Sequence, residues 1–283
     1  MREALALTYD FETNNRYRLF KRANSLFSNS DFAAAGLPST GELKLLEPYR
    51  RDLPPAVFGP PFIAPRTDSE AHALRRNLLQ ARTLLEAAGW KLAHDGRLRN
   101  VKGEPFEFEY LETQGGSQFR NVIWQRNLEK LGIRMSVRNV DFAVYRKRLE
   151  AFDFDVITIR MPDFALPSAG DYEDILASKN ADTQGASNFR GVKDPAVDAM
   201  IEAMKNAKTY EQLRDASRAL DRIVTHQHYQ VPQLFSPGYF TSYWNKFGLP
   251  PQPKFYTIDE NANWPAWAVT AWWLKDPAAR AAK

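Results

Sequence analysis

The chain has 283 residues and no cysteine. The absence of cysteine excludes disulfide bonds, thiolate catalysis and most structural zinc sites, and it fits a reducing or an oxidising compartment equally well. No run of about 20 apolar residues occurs, so the sequence predicts no membrane-spanning helix. The amino terminus lacks a charged region followed by an apolar run, so it is not the pattern of a signal peptide. Taken literally, these absences predict a chain that stays in the cytoplasm.

The net charge of the chain is also small. The chain carries 38 Lys and Arg against 34 Asp and Glu, a net charge of +4, and it has no dense basic run. Nucleic acid is therefore not an expected partner. The hydrophobic share of 44% is that of a globular protein with a core, and the length predicts one large or two unequal domains.

The central part of the sequence alternates between two kinds of periodicity. A period of two predicts strands and a period of 3.6 predicts helices. The predicted order is strand 106–110, helix 117–131, strand 133–137, helix 142–151 and strand 154–159. Asp141 is the expected cap of the second of these helices. Strands joined by helical crossovers predict an α/β fold with a mostly parallel sheet.

The segments before this unit are less regular. Residues 2–12 have the pattern of one helix with no capping residue in front of it. Because a domain seldom begins inside a helix, we expect further sequence upstream; a complete protein with an ordered first helix is the alternative. Residues 36–68 are rich in proline and glycine but apolar enough to press onto a core. A helix over 74–88 should end at Gly89 in a left-handed cap.

Residues 160–191 have little periodicity and contain several prolines and glycines, so we expect a long loop region that leaves the carboxyl end of the third strand. Open α/β sheets bind ligands at that edge, and the ligand site is predicted there. Asn188 is expected either to order this loop or to contact ligand, and ordering is the simpler role. Two helices should follow, over 195–207 and after the capping box of Thr209 and Gln212.

Residues that could carry chemistry are few and poorly arranged for it. His226 and His228 have no third ligand at zinc-site spacing, so packed or surface histidines are the expectation. The acidic groups 153–155 and 171–174 are more typical of a strand flank and a loop face than of a glycosidase pair. No nucleophile elbow, P-loop, dinucleotide-binding turn or metalloprotease helix is present. The sequence therefore predicts no catalytic residue, no metal and no cofactor.

Several stretches resemble one family. Residues 2–12 resemble a segment found in the middle of the family 5 extracellular solute-binding proteins. The later landmarks follow in the same order as in the branch of the broad-range peptide and microcin importer: residues 20–27, 36–39, 45–48, 193–198, 218–222 and 231–232. The resemblance runs over nearly the whole chain.

The resemblance implies an α/β second lobe of a two-lobed periplasmic-binding-protein-like fold, with a mixed sheet flanked by helices. Residues 1–235 would form this second lobe. Residues 236–283 would form a carboxyl-terminal segment that returns to the first lobe, which is mostly missing from this sequence. A fragment of this kind would also account for the uncapped first helix and for the missing signal peptide.

The resemblance further implies a substrate-binding component of an ABC-type peptide importer, which is not an enzyme. It would be monomeric and periplasmic in its full-length form, with a peptide ligand and the permease subunits as partners. Asp163 would meet the peptide amino group and Arg148 the peptide carboxylate, with Arg160, Met161, Phe164 and Asn188 beside them. The alternatives are a cytosolic binding or interaction module that reuses the lobe, and a carbohydrate-active enzyme.

Overall fold

The computed structural model describes residues 1–17, 19–68, 70–113, 118–161, 166–237, 242, 244–248 and 272–275. The helices are α1 Arg2–Thr8, α2 Phe11–Asn14, α3 Thr40–Leu46, α4 Ala73–Ala87, α5 Gln118–Glu129, α6 Phe142–Glu150, α7 Ala169–Leu176, α8 Pro195–Lys205 and α9 Tyr210–His226. The strands are β1 Lys21–Arg22, β2 Lys91–Leu92, β3 Leu98–Arg99, β4 Glu107–Thr113, β5 Arg134–Val140, β6 Leu234–Phe235, β7 Phe247–Gly248 and β8 Trp273–Leu274. Within these residues no helix has the length and apolarity needed to cross a membrane.

The central α/β unit has the predicted order and direction. Strands β4 and β5 pair in parallel over their full length, and α5 makes the crossover between them. A third extended segment joins β4 through a single parallel bridge between Tyr110 and Val156. The other strand pairs are short and antiparallel, and they form separate two-stranded sheets instead of joining β4 and β5 in one mixed sheet.

The third strand is shorter than the sequence predicts. The backbone N–H of Glu109 donates to the side chain of Asp155 at 2.8 Å, where a regular parallel ladder would use a backbone carbonyl. Phe152, just before this segment, has a positive φ of 53°. A side-chain acceptor therefore replaces part of the ladder, and the prediction of a full strand over 154–159 is wrong.

Two hydrophobic clusters hold the molecule together. The sheet core packs α1, α4 and α5 against β4 and β5, with Trp124 at its centre, where the indole N–H donates to Thr8 Oγ1 at 2.7 Å. The helical core is formed by α7, α8 and α9 together with the proline-rich segment. Leu53 and Val57 of that segment are buried in the helical core, so the prediction that residues 36–68 press onto a core is confirmed.

Two segments differ from their predicted form. Residues 2–12 form two short helices, because the Asp10 side chain accepts the N–H of Thr13 at 3.0 Å and begins a new helix. Residues 160–191 contain α7, although the sequence shows little periodicity there. Tyr172 and Leu176, one helical turn apart, are buried in the helical core. This packing stabilises a helix that the local sequence pattern does not predict.

The predicted helix ends are mostly confirmed. Gly89 has φ of 87°, as a left-handed cap requires. Asp141 accepts the N–H groups of Ala143 and Val144 at 2.9 and 3.0 Å. The Thr209 hydroxyl accepts the N–H of Gln212, but the Gln212 side chain accepts from the N–H of Lys208, one residue before the position that a capping box uses.

The Asp141 cap can be tested directly. Asp141→Ala should lower the free energy of unfolding by about 1 kcal/mol, because two N–H groups of α6 lose their acceptor. Urea denaturation followed by circular dichroism measures this change. Asp141→Ser keeps a capping oxygen and should stay within about 0.5 kcal/mol of the parent. Equal stability of the alanine and serine variants would contradict the assignment.

Candidate functional site

The carboxyl ends of three chain segments meet at one edge of the sheet. Strand β4 ends at Thr113 and β5 ends at Val140, and the third segment continues past Val156 to Met161. Since the three segments run in parallel, their carboxyl ends lie at the same edge. This is the edge where α/β sheets of this kind bind ligands, as the sequence predicts.

A short ribbon lies beside the third segment. Strands β1 and β6 pair antiparallel, with Lys21 opposite Phe235. Gln233, next to β6, donates from Nε2 to Thr158 Oγ1 at 3.4 Å, and the Thr158 hydroxyl also contacts the hydroxyl of Tyr110. The ribbon is thereby attached to the last part of the third segment.

Met161 marks the beginning of the predicted ligand loop. Its side chain packs against the helical core, and its sulfur accepts a hydrogen bond from Arg190 Nη2 at 3.1 Å. Arg190 also donates from Nε to Gln230 Oε1 at 2.9 Å, and burial lowers its pKa to about 10.

Arg160, just before Met161, is exposed. Asp163 and Phe164 lie outside the described residues.

Arg148 is held by two carboxylates. It donates from Nη1 to Glu109 at 2.7 Å and from Nε to Asp153 at 2.9 Å. The hydrogen bond to Glu109 raises the pKa of Arg148, and the bond to Asp153 adds to this effect. Arg148 is thus held beside Asp153, which precedes the third segment, whereas Met161 ends that segment.

Asn188 is fully buried and orders its own loop. Its side-chain amide donates to the carbonyls of Ala177 and Val192, both at 3.0 Å, and its oxygen accepts the N–H of Val192 at 3.1 Å. These contacts match the loop-ordering role, one of the two that the sequence left open. Any contact of Asn188 with a ligand would require this loop to open.

The histidine pair flanks an aromatic ring. His226 and His228 both approach the Phe62 ring edge-on, with ring centroids 5.9 and 5.6 Å away. Burial lowers the pKa of each imidazole, which favours the neutral form. Across the described residues, no three histidine, aspartate or glutamate side chains are grouped to hold a metal ion.

A groove that the sequence did not predict opens beside β1. It has a volume of about 890 Å³, and its lining residues lie within 10–16, 21–24 and 63–68, together with Leu74. The contributing residues are far apart in sequence and share no motif. Only the unusual density of charged residues around Asp10, Glu12, Lys21 and Arg22 gave any signal.

Comparisons with known proteins agree on the fold. The family model described as "Bacterial extracellular solute-binding proteins, family 5 Middle" matches residues 1–183. The probable peptide-binding protein YejA of Agrobacterium fabrum is 33% identical over 96% of this chain, and the YejA protein of Escherichia coli is 31% identical over 96%. The chain spans 43% and 44% of the lengths of these two relatives.

A solved structure shows the same fold at lower identity. The oligopeptide-binding protein AppA of Bacillus subtilis, in complex with a nonapeptide, superposes with a TM-score of 0.62. The two sequences are 18% identical, and the match covers 97% of this chain and 47% of AppA. The arrangement of helices and strands is therefore that of about half of AppA.

Proposed function

The chain belongs to family 5 of the bacterial extracellular solute-binding proteins, and from this premise we propose that it is part of the substrate-binding component of an ABC-type peptide importer. The match to the family model over residues 1–183 is the observation that carries this proposal. A relative named as a probable peptide-binding protein, similar over 96% of this chain, supports peptide as the ligand class. No catalytic step and no cofactor is part of this function.

In this proposal residues 1–235 form the second lobe and residues 236–283 belong to the first. The ribbon of β1 and β6 supports the boundary, because β6 ends at Phe235 beside the sheet edge where the ligand would bind in this proposal. The peptide would lie between the lobes, and hinge closure would exclude water from it. The complete protein would act as a monomer in the periplasm and deliver the peptide to the permease subunits.

We place the peptide amino group at Asp163, next to Arg160, Met161 and Phe164. A carboxylate bound to an ammonium group forms a charge-assisted hydrogen bond that is about twice as strong as a neutral one. Arg148 would meet the peptide carboxylate only by exchanging Glu109 or Asp153 for it, since both already hold its guanidinium. Asn188 contributes indirectly, by ordering the loop that contains it.

The test is peptide binding by the full-length periplasmic protein that contains these residues. Asp163→Asn should weaken binding of a peptide with a free amino group at least tenfold, because a hydrogen bond between charged groups contributes about 1.5–3 kcal/mol. The same peptide with an acetylated amino group should bind the parent and the variant equally. Isothermal titration calorimetry measures both affinities.

Asp182→Asn is the matched control, because Asp182 is an exposed carboxylate paired with Lys193 on the surface. It should leave both affinities unchanged. Unchanged affinity of Asp163→Asn for the free-amine peptide would remove Asp163 from the site. Failure of the parent protein to bind any peptide, and growth of the host on peptides without it, would overturn the importer proposal itself.

A further inference from the structure

The groove beside β1 contains a partly exposed arginine whose guanidinium nitrogens are buried. Arg22 lines this groove, and its guanidinium carbon lies 4.9 Å from the centre of the Tyr9 ring and 5.5 Å from that of Phe11. All three guanidinium nitrogens are shielded from solvent, and none has a hydrogen-bond partner. The guanidinium thus lies over two aromatic rings, and its N–H donors are unsatisfied.

Burial makes this arrangement costly. Desolvation lowers the pKa of Arg22 to about 10, so the side chain is still cationic at neutral pH. A buried ionic donor without an acceptor loses the hydration energy and gains no hydrogen bond in return. Unsatisfied buried groups of this kind commonly mark a place for an unseen water or ion.

The neighbouring carboxylates do not supply the missing partner. Asp10 Oδ1 accepts the N–H of Thr13 at 3.0 Å and the hydroxyl of Thr67 at 2.5 Å. Glu12 Oε2 accepts the N–H of Thr67 at 3.1 Å and lies 2.8 Å from the Thr67 hydroxyl, whose single proton is donated to one of the two acids at a time. Both acids are thus bound to the opposite wall of the groove and influence Arg22 only by their longer-range charge.

We propose that the groove binds an oxyanion, a carboxylate or a phosphate group, and that Arg22 is the residue that holds it. The planar fork of guanidinium donors matches both groups in a bidentate pair. A rotation about the last side-chain bonds of Arg22 would turn the unsatisfied edge toward the groove that the residue already lines. Lys21 at the same groove adds positive charge for an incoming anion, whereas Arg66 is already paired with Asp68 at 2.9 Å.

None of the described residues that line this groove belongs to the predicted ligand loop at residues 160–164. Its walls come from α2, β1 and residues 63–68, and the proposal does not depend on peptide binding or on transport. It gives the groove beside β1 a ligand class of its own.

The experiment titrates inorganic phosphate into this purified chain and into its Arg22→Met variant at pH 7, with sodium chloride of equal ionic strength as the blank. The parent should bind phosphate in a saturable way by calorimetry, with a rise in melting temperature. Arg22→Met should bind at least tenfold more weakly, because it lacks the bidentate donor. Without phosphate the variant should melt at the same temperature as the parent or higher, since a buried unpaired charge has been removed.

Two further variants keep the test decisive. Arg50→Met is the matched control, because Arg50 also stacks on a ring, that of Phe58 at 3.9 Å, but lies exposed on the surface and pairs with Glu47. It should retain full phosphate binding. Arg22→Lys keeps the charge, so it should fold even if the methionine variant does not, and it should bind phosphate more weakly than the parent.

The outcomes separate the proposal from a structural role of Arg22. Equal phosphate binding by the parent and by the methionine and lysine variants would overturn the site, as would a response to chloride as large as that to phosphate. A methionine variant destabilised equally with and without phosphate would show that the charge only supports the fold. Acetate that competes with phosphate would support carboxylate-bearing ligands as the source, and phosphate binding without competition would support phosphate itself.

Discussion

Glu42→Gln should lower the free energy of unfolding by about 3–5 kcal/mol, because it leaves the buried guanidinium of Arg222 without its counter-charge. The side chains of Arg222 and Glu42 are 0% and 1% exposed, and Arg222 Nε donates to Glu42 Oε2 at 2.6 Å. Glutamine is also accepted at the third position of a capping box, so the start of α3 is kept. The expected loss therefore reports the charge and not the helix cap.

Arg222 ties several chain segments to α9. It donates from Nη1 to the carbonyl of Gly59 at 2.8 Å and from Nη2 to that of Gly36 at 3.0 Å. With Glu42, these contacts fasten three points of the proline-rich segment to a single guanidinium. Loss of the pair should therefore loosen the whole of residues 36–59 and not only α3.

Urea denaturation of Glu42→Gln, Arg222→Met and the double variant measures the pair. The double variant should be more stable than the sum of the two single losses predicts, because neither residue is left as an unpaired buried charge. Glu47→Gln is the matched control: Glu47 pairs with Arg50 on the surface, where the two side chains are 58% and 50% exposed. Its effect should be small, because exposed ion pairs contribute little to stability. A loss below 1 kcal/mol for Glu42→Gln would contradict the account.

The second large effect concerns pH and Asp221. Its carboxylate accepts the N–H of Leu26 at 2.8 Å and that of Ala34 at 2.9 Å, and the side chain is buried. Burial raises the pKa of Asp221 to about 6, against the opposing effect of these hydrogen bonds. Glu42, the nearest acid on α3, is already paired with Arg222, the neighbour of Asp221 on α9.

The sign of the pH effect follows from this raised pKa. The folded state binds the proton more tightly than the unfolded chain, so the stabilisation from Asp221 is fully present below about pH 4. It is lost as the pH rises through 6, and the total loss is about 3 kcal/mol. Relative to Asp221→Asn, which cannot titrate, the parent should therefore lose stability between pH 4 and pH 7.

Urea titrations of the parent and of Asp221→Asn at half-unit pH steps measure the difference. Using the difference removes the contributions of all other titrating groups, including His226 and His228. A difference that is constant with pH would contradict the raised pKa. A difference that grows in favour of the parent at higher pH would mean that the two N–H donors outweigh burial.

Much of the central fold could be predicted because its signals are local. The alternation around Phe108 and Met135 and the caps at Gly89 and Asp141 depend on neighbouring residues, and the structure confirms them. The parallel direction of β4 and β5 follows from the helix between them. These features need no knowledge of distant contacts.

The remaining differences have tertiary causes. Helix α7 depends on the burial of Tyr172 and Leu176 against α8 and α9, and the third strand is shortened by the Asp155 side chain. Neither contact can be read from a local period. Asp163 and Phe164 lie outside the described residues, so the proposed amino-group site is still a prediction.

The groove also could not be predicted from the sequence, because it depends on contacts between distant residues. The rings that flank Arg22 come from nearby positions, Tyr9 and Phe11, but its missing partner results from Thr67, which lies far along the chain. A sequence pattern can place charges near each other. It cannot show which carboxylate is already bound to another wall.

The ribbon of β1 and β6 has a consequence for how the molecule assembles. It pairs Lys21 with Phe235, so its formation closes almost the whole described chain into one loop. Contacts between residues far apart in sequence close a long loop, and the entropic cost of closing it slows their formation. We therefore expect the ribbon to form late in folding. Once formed, it sets the two ends of residues 22–234 side by side. Residues 1–21 would have to accompany this segment in any transplant, because α1 and α2 supply part of the sheet core.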